Sequence, residues 1–256
     1  MDSAACTSAI VCANASSSGR PLLWKHRDTG ADNNFLIRIE PRDGKIGYVG
    51  LFNGGDSLFT EAWMGMNDEG FAIMNTASYN LAPDTALYKD REGVVMARAL
   101  STCRTVADFE HLLVSMQKPM GVQANFGVID ANGGAAYFET DDFGFKRFDV
   151  DDSENGIIIR SNYSCSGAEG CGYGYIRYNT AAGLIRESLA HGKVAPELFT
   201  ECLSRSFYHS LIGRDMYMDD YVVDQDFIPR NISTSSIVIE GVTNDEDCGE
   251  MLMWAA

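Results

Sequence analysis

Positive charge is scarce in this sequence. Twenty Lys and Arg residues stand against 36 Asp and Glu residues, so the formal net charge is −16 at pH 7. Nucleic acids and anionic membranes attract clustered positive charge, and this composition therefore excludes non-specific binding to either surface. No run approaches the roughly 18 consecutive apolar residues that a membrane-spanning helix requires. The sequence predicts a soluble chain with no nucleic-acid partner and no membrane span.

The motifs of metal, phosphate and papain-type chemistry are also missing. There is no H-E-x-x-H, no C-x-x-C and no glycine-rich loop ending in Lys-Ser/Thr, so we expect no metal and no cofactor. Cys165 and Cys171 are spaced too widely for a zinc knuckle, and whether they form a disulfide in an exported protein stays open. A papain-like site would need a histidine partner, but the papain signature surrounds none of the seven cysteines. The histidines available for such a site are His26, His111, His191 and His209.

Linker signals are few as well. Only six prolines occur, and neither half contains a Gly/Ser-rich or Pro-rich tract, so we predict one domain over residues 6–256. Ser3-Ala4-Ala5 supplies small residues of the kind that a signal peptidase accepts before Cys6. We therefore interpret residues 1–5 as a propeptide or signal remnant and expect export to a periplasmic or extracellular location.

Strand and helix patterns alternate along the chain. Asn67-Asp68-Glu69-Gly70 and Ala131-Asn132-Gly133-Gly134 are turn signals of β-hairpins. Apolar spacing of three and four residues predicts two helices between Asp90 and Gln117, the second beginning with a capping box at Thr105 and Asp108. Two further helices are predicted over Ile176–His191 and Pro196–Phe207. The predicted strands are Ser8–Ala13, Pro21–His26, Phe35–Ile39, Ile46–Phe52, Ala62–Met66, Phe71–Ala77, Phe126–Asp130, Ala135–Thr140, Gly156–Ser161, Ile232–Gly241 and Glu250–Trp254.

This order of strands, helix pair, strands, helix pair and strands predicts the fold class. A sheet must bury its apolar face against another layer, and helical pairs that alternate with sheet segments suit helices packed outside two facing sheets. We predict an α+β, four-layer αββα sandwich.

Cys6 is the first candidate for chemistry. Seven cysteines are an odd number, so at least one thiol has no intramolecular partner. If Met1–Ala5 is removed, the Cys6 thiol shares a residue with a free α-amine, whose reference pKa of about 7.7–8.0 suits a general base. Nucleophile and base would then come from one residue. The alternative is an ordinary buried cysteine at the start of a strand.

A second element, Gly19-Arg20-Pro21-Leu22-Leu23-Trp24-Lys25-His26-Arg27-Asp28, is an apolar run that ends in charge. If it pairs with the Cys6 strand as a hairpin, Asp28 returns beside Cys6 and is able to hold its ammonium or orient its thiol. A strand that ends in charge is otherwise simply entering solvent.

These two segments resemble the N-terminus of the acyl-CoA:6-aminopenicillanate acyltransferase (C45 peptidase) family. That family is related to choloylglycine hydrolases and penicillin V acylases within the N-terminal nucleophile hydrolases. The match rests on Cys6-Thr7-Ser8 and on the segment from Gly19 to Asp28. Met66-Asn67-Asp68-Glu69-Gly70-Phe71-Ala72-Ile73, Ile159-Arg160-Ser161-Asn162-Tyr163 and Tyr173–Leu184 resemble later parts of the family pattern.

The resemblance implies a role for each matched residue. Cys6 would attack an amide carbonyl, with its own α-amine carrying the proton, while Asp28 stays close to the cysteine. The amide of Asn162, and by position that of Asn75, would donate to the developing oxyanion. Arg177 would lie near the nucleophile, with Arg230 as its rival.

Several alternatives stay open at these positions. Asn162 is also placed like a turn residue before a Gly-rich loop, and Arg177 like a solvated helix residue. Lys25 stands where the bile acid branch has arginine, which argues against bile salts as substrates. We place Lys25 and Asn75 among the substrate-binding residues.

We thus predict an N-terminal cysteine amidohydrolase that takes the acyl group of a small acyl amide onto Cys6 as a thioester. Acyl transfer to an amine acceptor and a non-catalytic binding protein of the same fold are the alternatives, and a homo-oligomer is left open. The loops Leu81–Lys89 and Tyr208–Arg230 offer aromatic and apolar groups to a pocket, but they do not specify the substrate.

Overall fold

The computed structural model describes residues 5–82, 87–244 and 246–256. The three α-helices are α1 (Glu92–Thr102), α2 (Val106–Ser115) and α3 (Tyr175–His191). The strands are β1 (Ala5–Val11), β2 (Leu22–Asp28), β3 (Asn34–Ile39), β4 (Tyr48–Asn53), β5 (Ala62–Asn67), β6 (Ala72–Ala77), β7 (Ala124–Ile129), β8 (Ala135–Thr140), β9 (Phe145–Asp149), β10 (Ile157–Arg160), β11 (Tyr208–His209), β12 (Arg214–Asp215), β13 (Ser233–Glu240) and β14 (Leu252–Ala255).

Two large antiparallel sheets form the centre of the molecule. One has the strand order β10-β1-β2-β13-β14, and the other runs from β3 to β9 in chain order. Local hairpins build the second sheet. At the β5–β6 turn, Asn67 Oδ1 accepts from the amides of Glu69 and Phe71, and Gly70 takes the positive φ of 83° that the turn requires.

The core lies between the two sheets. Ile10 of β1 and Leu23 of β2 pack in one cluster with Met74 of β6 and Tyr137 of β8. All seven residues of β1 and all seven of β2 are buried, because the other sheet covers one face of these strands and helical segments cover the other. The ends of β1 and β2 that carry Cys6 and Asp28 are therefore shielded from bulk water.

Helices form the two outer layers. On the seven-stranded sheet, α1 and α2 pack against residues such as Phe71 and Phe126 in a second cluster. The predicted capping box begins α2, with Thr105 and Asp108 each accepting from the other's backbone amide. On the five-stranded sheet, α3 packs against β10, and Trp24 stacks on Phe199 at 5.1 Å between ring centroids. The predicted four-layer αββα class is confirmed.

Some predicted elements differ in detail. Pro196–Phe207 is not one α-helix: it holds a π-helix at Leu198–Cys202, followed by a 3-10 turn at Leu203–Arg205. The edge strand β9 was not predicted from the sequence. None of its five residues is fully buried, and the first fully buried residue after it is Val150. Edge strands show weak apolar alternation because one side is open to solvent.

Among the described residues, no helix is both long and apolar enough to cross a membrane. The predicted remnant at residues 1–5 lies outside the described residues except for Ala5, and so do residues 83–86 of the loop Leu81–Lys89.

Candidate active site

The pairing of β1 with β2 builds the site. Ala5 lies opposite Asp28, and Cys6 lies opposite Arg27. Successive side chains of a strand point to opposite faces, so Cys6 shares one face with Arg27 and Lys25, while Asp28 is on the other. The hairpin inferred from the sequence thus brings Asp28 back beside the start of β1. Ser8, on the face of Cys6, lies 2.9 Å from the Tyr137 hydroxyl, which identifies that face as the one between the sheets.

Asn162 and Arg177 hold the backbone of Cys6. The amide N–H of Cys6 donates to Asn162 Oδ1 at 3.0 Å. Arg177 donates through Nη1 to the Cys6 carbonyl at 2.7 Å and to Thr7 Oγ1 at 2.9 Å, and through Nη2 to Asn162 Oδ1 at 2.7 Å. Both side chains are buried, so Arg177 is a site residue and not the solvated helix residue of the alternative interpretation.

The side-chain amide of Asn162 makes hydrogen bonds within the protein that were not expected from the sequence. Its oxygen is occupied by Cys6 and Arg177, and its Nδ2 donates to the Ala77 carbonyl at 2.9 Å. Because Nδ2 carries two hydrogens, one donor is left for an oxyanion. Asn162 thus holds the backbone of Cys6, and the oxyanion role that the resemblance implies stays a prediction.

The glycine-rich loop before α3 makes room for this arrangement. Gly170, Gly172 and Gly174 all have positive φ. A Cβ at Gly174 would stand 2.6 Å from Arg177 Nη2 and 2.9 Å from Ser161 Oγ. These glycines therefore serve backbone conformation and close approach.

Lys25 and Asn75 meet between the sheets. Lys25 Nζ donates to Asn75 Oδ1 at 2.8 Å and to the Trp63 carbonyl at 2.9 Å. Burial lowers the pKa of Lys25 to about 8, and the charge of a Cys6 thiolate partly opposes this shift. Asn75 Nδ2 donates to none of the described residues, so its two hydrogens are available to a ligand.

Arg27 adds a second buried cation on the same face. Its guanidinium donates to Asn34 Oδ1 at 2.7 Å and Asn53 Oδ1 at 2.9 Å, and it lies 5.1 Å from the Trp63 ring centroid. Within the described part of the chain, neither Arg27 nor Lys25 forms a salt bridge. Two buried cations thus lie on the face of Cys6 with neutral hydrogen-bond partners, and the carboxylate of Glu92 also acts on Lys25.

Asp28 lies on the opposite face of β2. Ser233 Oγ donates to its Oδ1 at 2.7 Å, and Arg230 Nη1 is 3.8 Å from its Oδ2. Burial raises the pKa of Asp28 to about 6, although the Ser233 hydrogen bond and the charges of Arg177 and Arg230 act in the opposite direction. Both rival arginines are therefore near the site: Arg177 holds Cys6, and Arg230 faces Asp28.

A buried ion pair supports the loop that carries Asn162, and the sequence analysis missed it. Arg160 Nε donates to Glu139 Oε1 at 2.8 Å, and the same carboxylate accepts from the amides of Cys165 and Ser166. Glu139 is only 2% exposed. The sequence does not show that a charged residue in a strand such as β8 is buried, because its partners are distant in the chain.

The other cysteines form no disulfide. All seven are free, and Cys165 and Cys171 are exposed. No cluster of His, Cys, Asp and Glu within the described ranges has the geometry to hold a metal ion.

Two stacked antiparallel sheets between helical layers, with a cysteine at the start of a central strand, make up the N-terminal nucleophile hydrolase fold. Solved structures of this fold resemble the chain over nearly its whole length. A Caenorhabditis elegans N-acylethanolamine-hydrolyzing acid amidase ortholog aligns with a TM-score of 0.58 at 14% identity, covering 98% of this chain and 99% of that one.

A variant of conjugated bile acid hydrolase from Clostridium perfringens also aligns with a TM-score of 0.58, at 12% identity, covering 98% of this chain and 88% of that one. A second variant of that hydrolase aligns at 0.52 with 12% identity, covering 98% and 96%. No family model and no curated sequence matches the chain. At these identities the likeness establishes the fold, which is the one implied by the sequence resemblance.

Gly174→Ala tests the close packing around Arg177. We expect the added methyl group to displace the guanidinium and the left-handed φ to cost about 1–2 kcal/mol of unfolding free energy. Urea unfolding of the variant and the parent measures this loss of stability. Gly183→Ala in α3 is the matched control, because no neighbouring atom lies within 4 Å of the position that its added methyl group would take. Equal behaviour of the two variants would contradict this packing.

Asp28→Asn tests the raised pKa of Asp28. An unfolded aspartate has a pKa of about 3.9, so between about pH 4 and pH 6 the folded protein binds more protons at this site. Asp28 therefore contributes stability at low pH that is lost as the pH rises to about 6. We expect the unfolding free energy of the variant, relative to the parent, to increase from pH 4 to pH 6 and then stay constant.

The measurement is urea unfolding at several pH values on both proteins. His26 has the opposite dependence, since burial lowers its pKa to about 4. A difference that does not vary with pH would show that Asp28 titrates normally.

Proposed function

We propose that this chain is the precursor of an N-terminal cysteine amidohydrolase that acts on a small acyl amide. The observation that carries the proposal is the position of Cys6 at the start of β1, where Asn162 and Arg177 fix its backbone and Asp28 lies opposite the preceding residue. Removal of residues 1–5 would turn the Cys6 amide into an α-amine in a site that is already assembled.

The residues then divide the chemistry. The Cys6 thiol gives its proton to the α-amine, and the sulfur attacks the amide carbonyl to form a C–S bond. The α-amine passes that proton to the leaving nitrogen as the C–N bond breaks. Water then adds to the thioester, again with the α-amine as base, and the carboxylic acid leaves as the thiol is restored.

Two amide groups support the oxyanion in this proposal. The free N–H groups of Asn75 and the second N–H of Asn162 are neutral donors held by buried strands, so they need little reorganisation when charge develops. One such donor typically contributes about 2.7–4 kcal/mol to transition-state stabilisation.

Asp28 completes the base. Its Oδ2 is buried and has no hydrogen-bond partner in the described part of the chain. An α-ammonium formed at Cys6 would supply the missing donor and a charge to match. Asp28 would thus orient the amine without touching the substrate.

Lys25 and Arg27 bring positive charge to the nucleophile. Both interact electrostatically with a Cys6 thiolate, and both are buried. They favour the anionic tetrahedral intermediate over the neutral ground state. The fold relatives named above are an acid amidase and two variants of a hydrolase, which supports hydrolysis over transfer. Export with removal of residues 1–5 is part of the same proposal.

The first test is the intact mass of protein from its native host, with expected loss of residues 1–5. Cys6→Ala should then lower turnover of N-acyl amides by at least about 10³-fold, because it removes the nucleophile. The control is Cys165→Ser, an exposed cysteine, which should keep parent activity. Full activity of Cys6→Ala would disprove the proposal, and a trapped acyl mass on Cys6 would support it directly.

A second test concerns the charge of Lys25. Because its pKa is lowered to about 8, we expect kcat/KM to decline above about pH 8 as this cation is lost. Lys25→Arg should move that decline to higher pH, and Lys25→Met should lower kcat/KM about 10- to 100-fold at neutral pH, as expected for a lost charged hydrogen bond. Lys146→Arg, an exposed lysine of β9, is the control. An identical alkaline decline in Lys25→Arg would rule out this role.

A further inference from the structure

Buried polar side chains bond the loop that carries Asn162 to the other sheet. Thr76 of β6 and Asn125 of β7 belong to the seven-stranded sheet, and Asn80 follows β6 in the chain. Ser164 lies in the loop after β10, a strand of the five-stranded sheet. These four residues are at most 6% exposed, so bulk water does not compete for their hydrogen bonds.

Asn125 bonds to the chain on both sides of Asn162. Its Nδ2 lies 3.3 Å from the carbonyl oxygen of Ser161 and 3.1 Å from that of Tyr163. A backbone carbonyl oxygen only accepts hydrogen bonds, so Nδ2 is the donor in both contacts. The other end of the amide, Oδ1, accepts from Ser164 Oγ.

Asn125 also bonds to the residue next to Asn75. Its Nδ2 lies 3.0 Å from Thr76 Oγ1, and Thr76 directly follows Asn75 in β6. Thr76 and Asn125 are opposite each other where β6 pairs with β7. The two hydrogens of Nδ2 are therefore shared among three acceptors. Each acceptor belongs to a neighbour of one of the two amides that the proposed function uses for the oxyanion.

Other side chains hold the later part of the same loop. Asn80 and Glu139 bond to the backbone of residues 164–168. These contacts begin two residues after Asn162. Asn125 therefore supplies the side-chain contacts to the backbone immediately before and after Asn162.

Hydrogen bonds define this contact between the sheets more narrowly than apolar packing would. Further along the same face of β7, Ile129 belongs to the apolar cluster between the sheets. Apolar contacts tolerate small shifts, whereas a hydrogen bond weakens steeply as its angle departs from linearity. Burying the Asn125 amide is costly unless its bonds are made, so the amide specifies one position of the loop.

We propose that Asn125 is a positioning residue that holds the two oxyanion donors, Asn75 and Asn162, at a fixed separation. Asn75 belongs to one sheet and Asn162 follows a strand of the other, so no single strand sets their spacing. Asn125 is fully buried and acts through Thr76 on one side and through the carbonyls on both sides of Asn162 on the other. The inference rests on the proposed function, because it takes the two amides as oxyanion donors.

The spacing matters because oxyanion donors act only over a short distance. A donor stabilises the developing charge when it stands about 2.7–3.1 Å from the oxyanion. A loop shift of about 1 Å would take Asn162 Nδ2 out of that range, and misplacements of this size are able to cost about 10²-fold in rate. Binding of the uncharged substrate depends much less on this distance. We therefore expect loss of Asn125 to lower kcat and to leave KM nearly unchanged.

The kinetic test compares mature Asn125→Asp with the parent on a series of acyl 4-nitroanilides. The aspartate keeps the acceptor for Ser164 but loses the donor toward the two carbonyls. We expect kcat to fall at least about tenfold with KM within about twofold, since removing one oxyanion donor outright costs about 10²–10³ in kcat. The aldehyde with the acyl group of the best substrate should lose affinity by a similar factor, because its adduct with the Cys6 thiol places an oxygen at the same position.

Asn67→Asp is the matched control. Asn67 is also a buried asparagine, and its Nδ2 donates to the carbonyls of Leu100 and Cys103 at 2.9 and 2.8 Å. The substitution removes the same kind of hydrogen bonds at the turn between β5 and β6, outside the network around Asn125. It should lower the unfolding free energy in urea, while kcat and aldehyde affinity stay at the parent values.

Hydrogen exchange of the Asn162 side-chain amide, followed by nitrogen NMR, tests the same inference without activity. We expect this exchange to be at least about tenfold faster in Asn125→Asp than in the parent or in Asn67→Asp, because the loop is held less firmly. Asn125→Ala, which buries no new charge, replaces Asn125→Asp if that variant does not fold.

Unchanged exchange of the Asn162 amide in a folded Asn125 variant would overturn the inference, and so would parent kcat with parent aldehyde affinity. Both results would leave the proposed function intact. Failure of both Asn125 variants to fold would also overturn it, because Asn125 would then be required for the fold and not for the spacing of the donors. If the parent hydrolyses no acyl amide, the proposed function fails, and the exchange rate still decides whether Asn125 positions Asn162.

Discussion

The buried guanidinium of Arg177 is the interaction on which the site depends. It joins the Cys6 carbonyl at the start of β1 to Asn162 just after β10, and it does so from the first turn of α3. Moving a charge out of water is costly unless hydrogen bonds and opposite charge compensate. Arg177 has three hydrogen bonds, and the charge of Asp28 further offsets its burial. Loss of any of these partners would leave the buried charge of Arg177 less well compensated. These residues therefore hold the site together as a unit.

The alternation of β2 divides the charges of the site. Lys25 and Arg27 point between the sheets, and His26 and Asp28 point to the helical side. Under the proposed function, the cations would stabilise a thiolate and an oxyanion on the first face, and the carboxylate on the second face would serve the amine. Because the period of a strand is two, a shift of one residue in the register would exchange these two sets and destroy the site.

The predictable part of the fold was the part set by local signals. The turn at Asn67 and the capping box at Thr105 need only neighbouring residues, and both are confirmed. The pairing of β2 with β13 joins residues about 200 positions apart. No pattern in residues 233–236 predicts the β-bulge that β13 contains. The π-helix at Leu198–Cys202 is another tertiary outcome, since its sequence has the same apolar spacing as an α-helix.

The same distinction between local signals and distant partners applies to the residues of the candidate site. Cys6 and Asp28 were accessible because a single hairpin connects them, whereas Asn162 and Arg177 came from resemblance to a family pattern. Glu139 and Ser233 escaped notice, since a polar residue in a strand shows its importance only through partners that are distant in the chain. His26 was named from the sequence only as a possible histidine of a papain-like site.

With Ala5 still attached, the chain already has the geometry of the proposed site, and this has a physical consequence. Ala5 is buried in β1 opposite Asp28, and the Cys6 amide is bonded to Asn162, so the strand does not have to move when the preceding residues are removed. Among the described residues, no donor bonds to Asp28 Oδ2. An unsatisfied buried acceptor costs about 1–3 kcal/mol. Under the proposed maturation, a new ammonium beside a preformed carboxylate would relieve that cost. The unfavourable free energy of burying Asp28 Oδ2 without a donor arises during folding, and it would be offset when the base is formed.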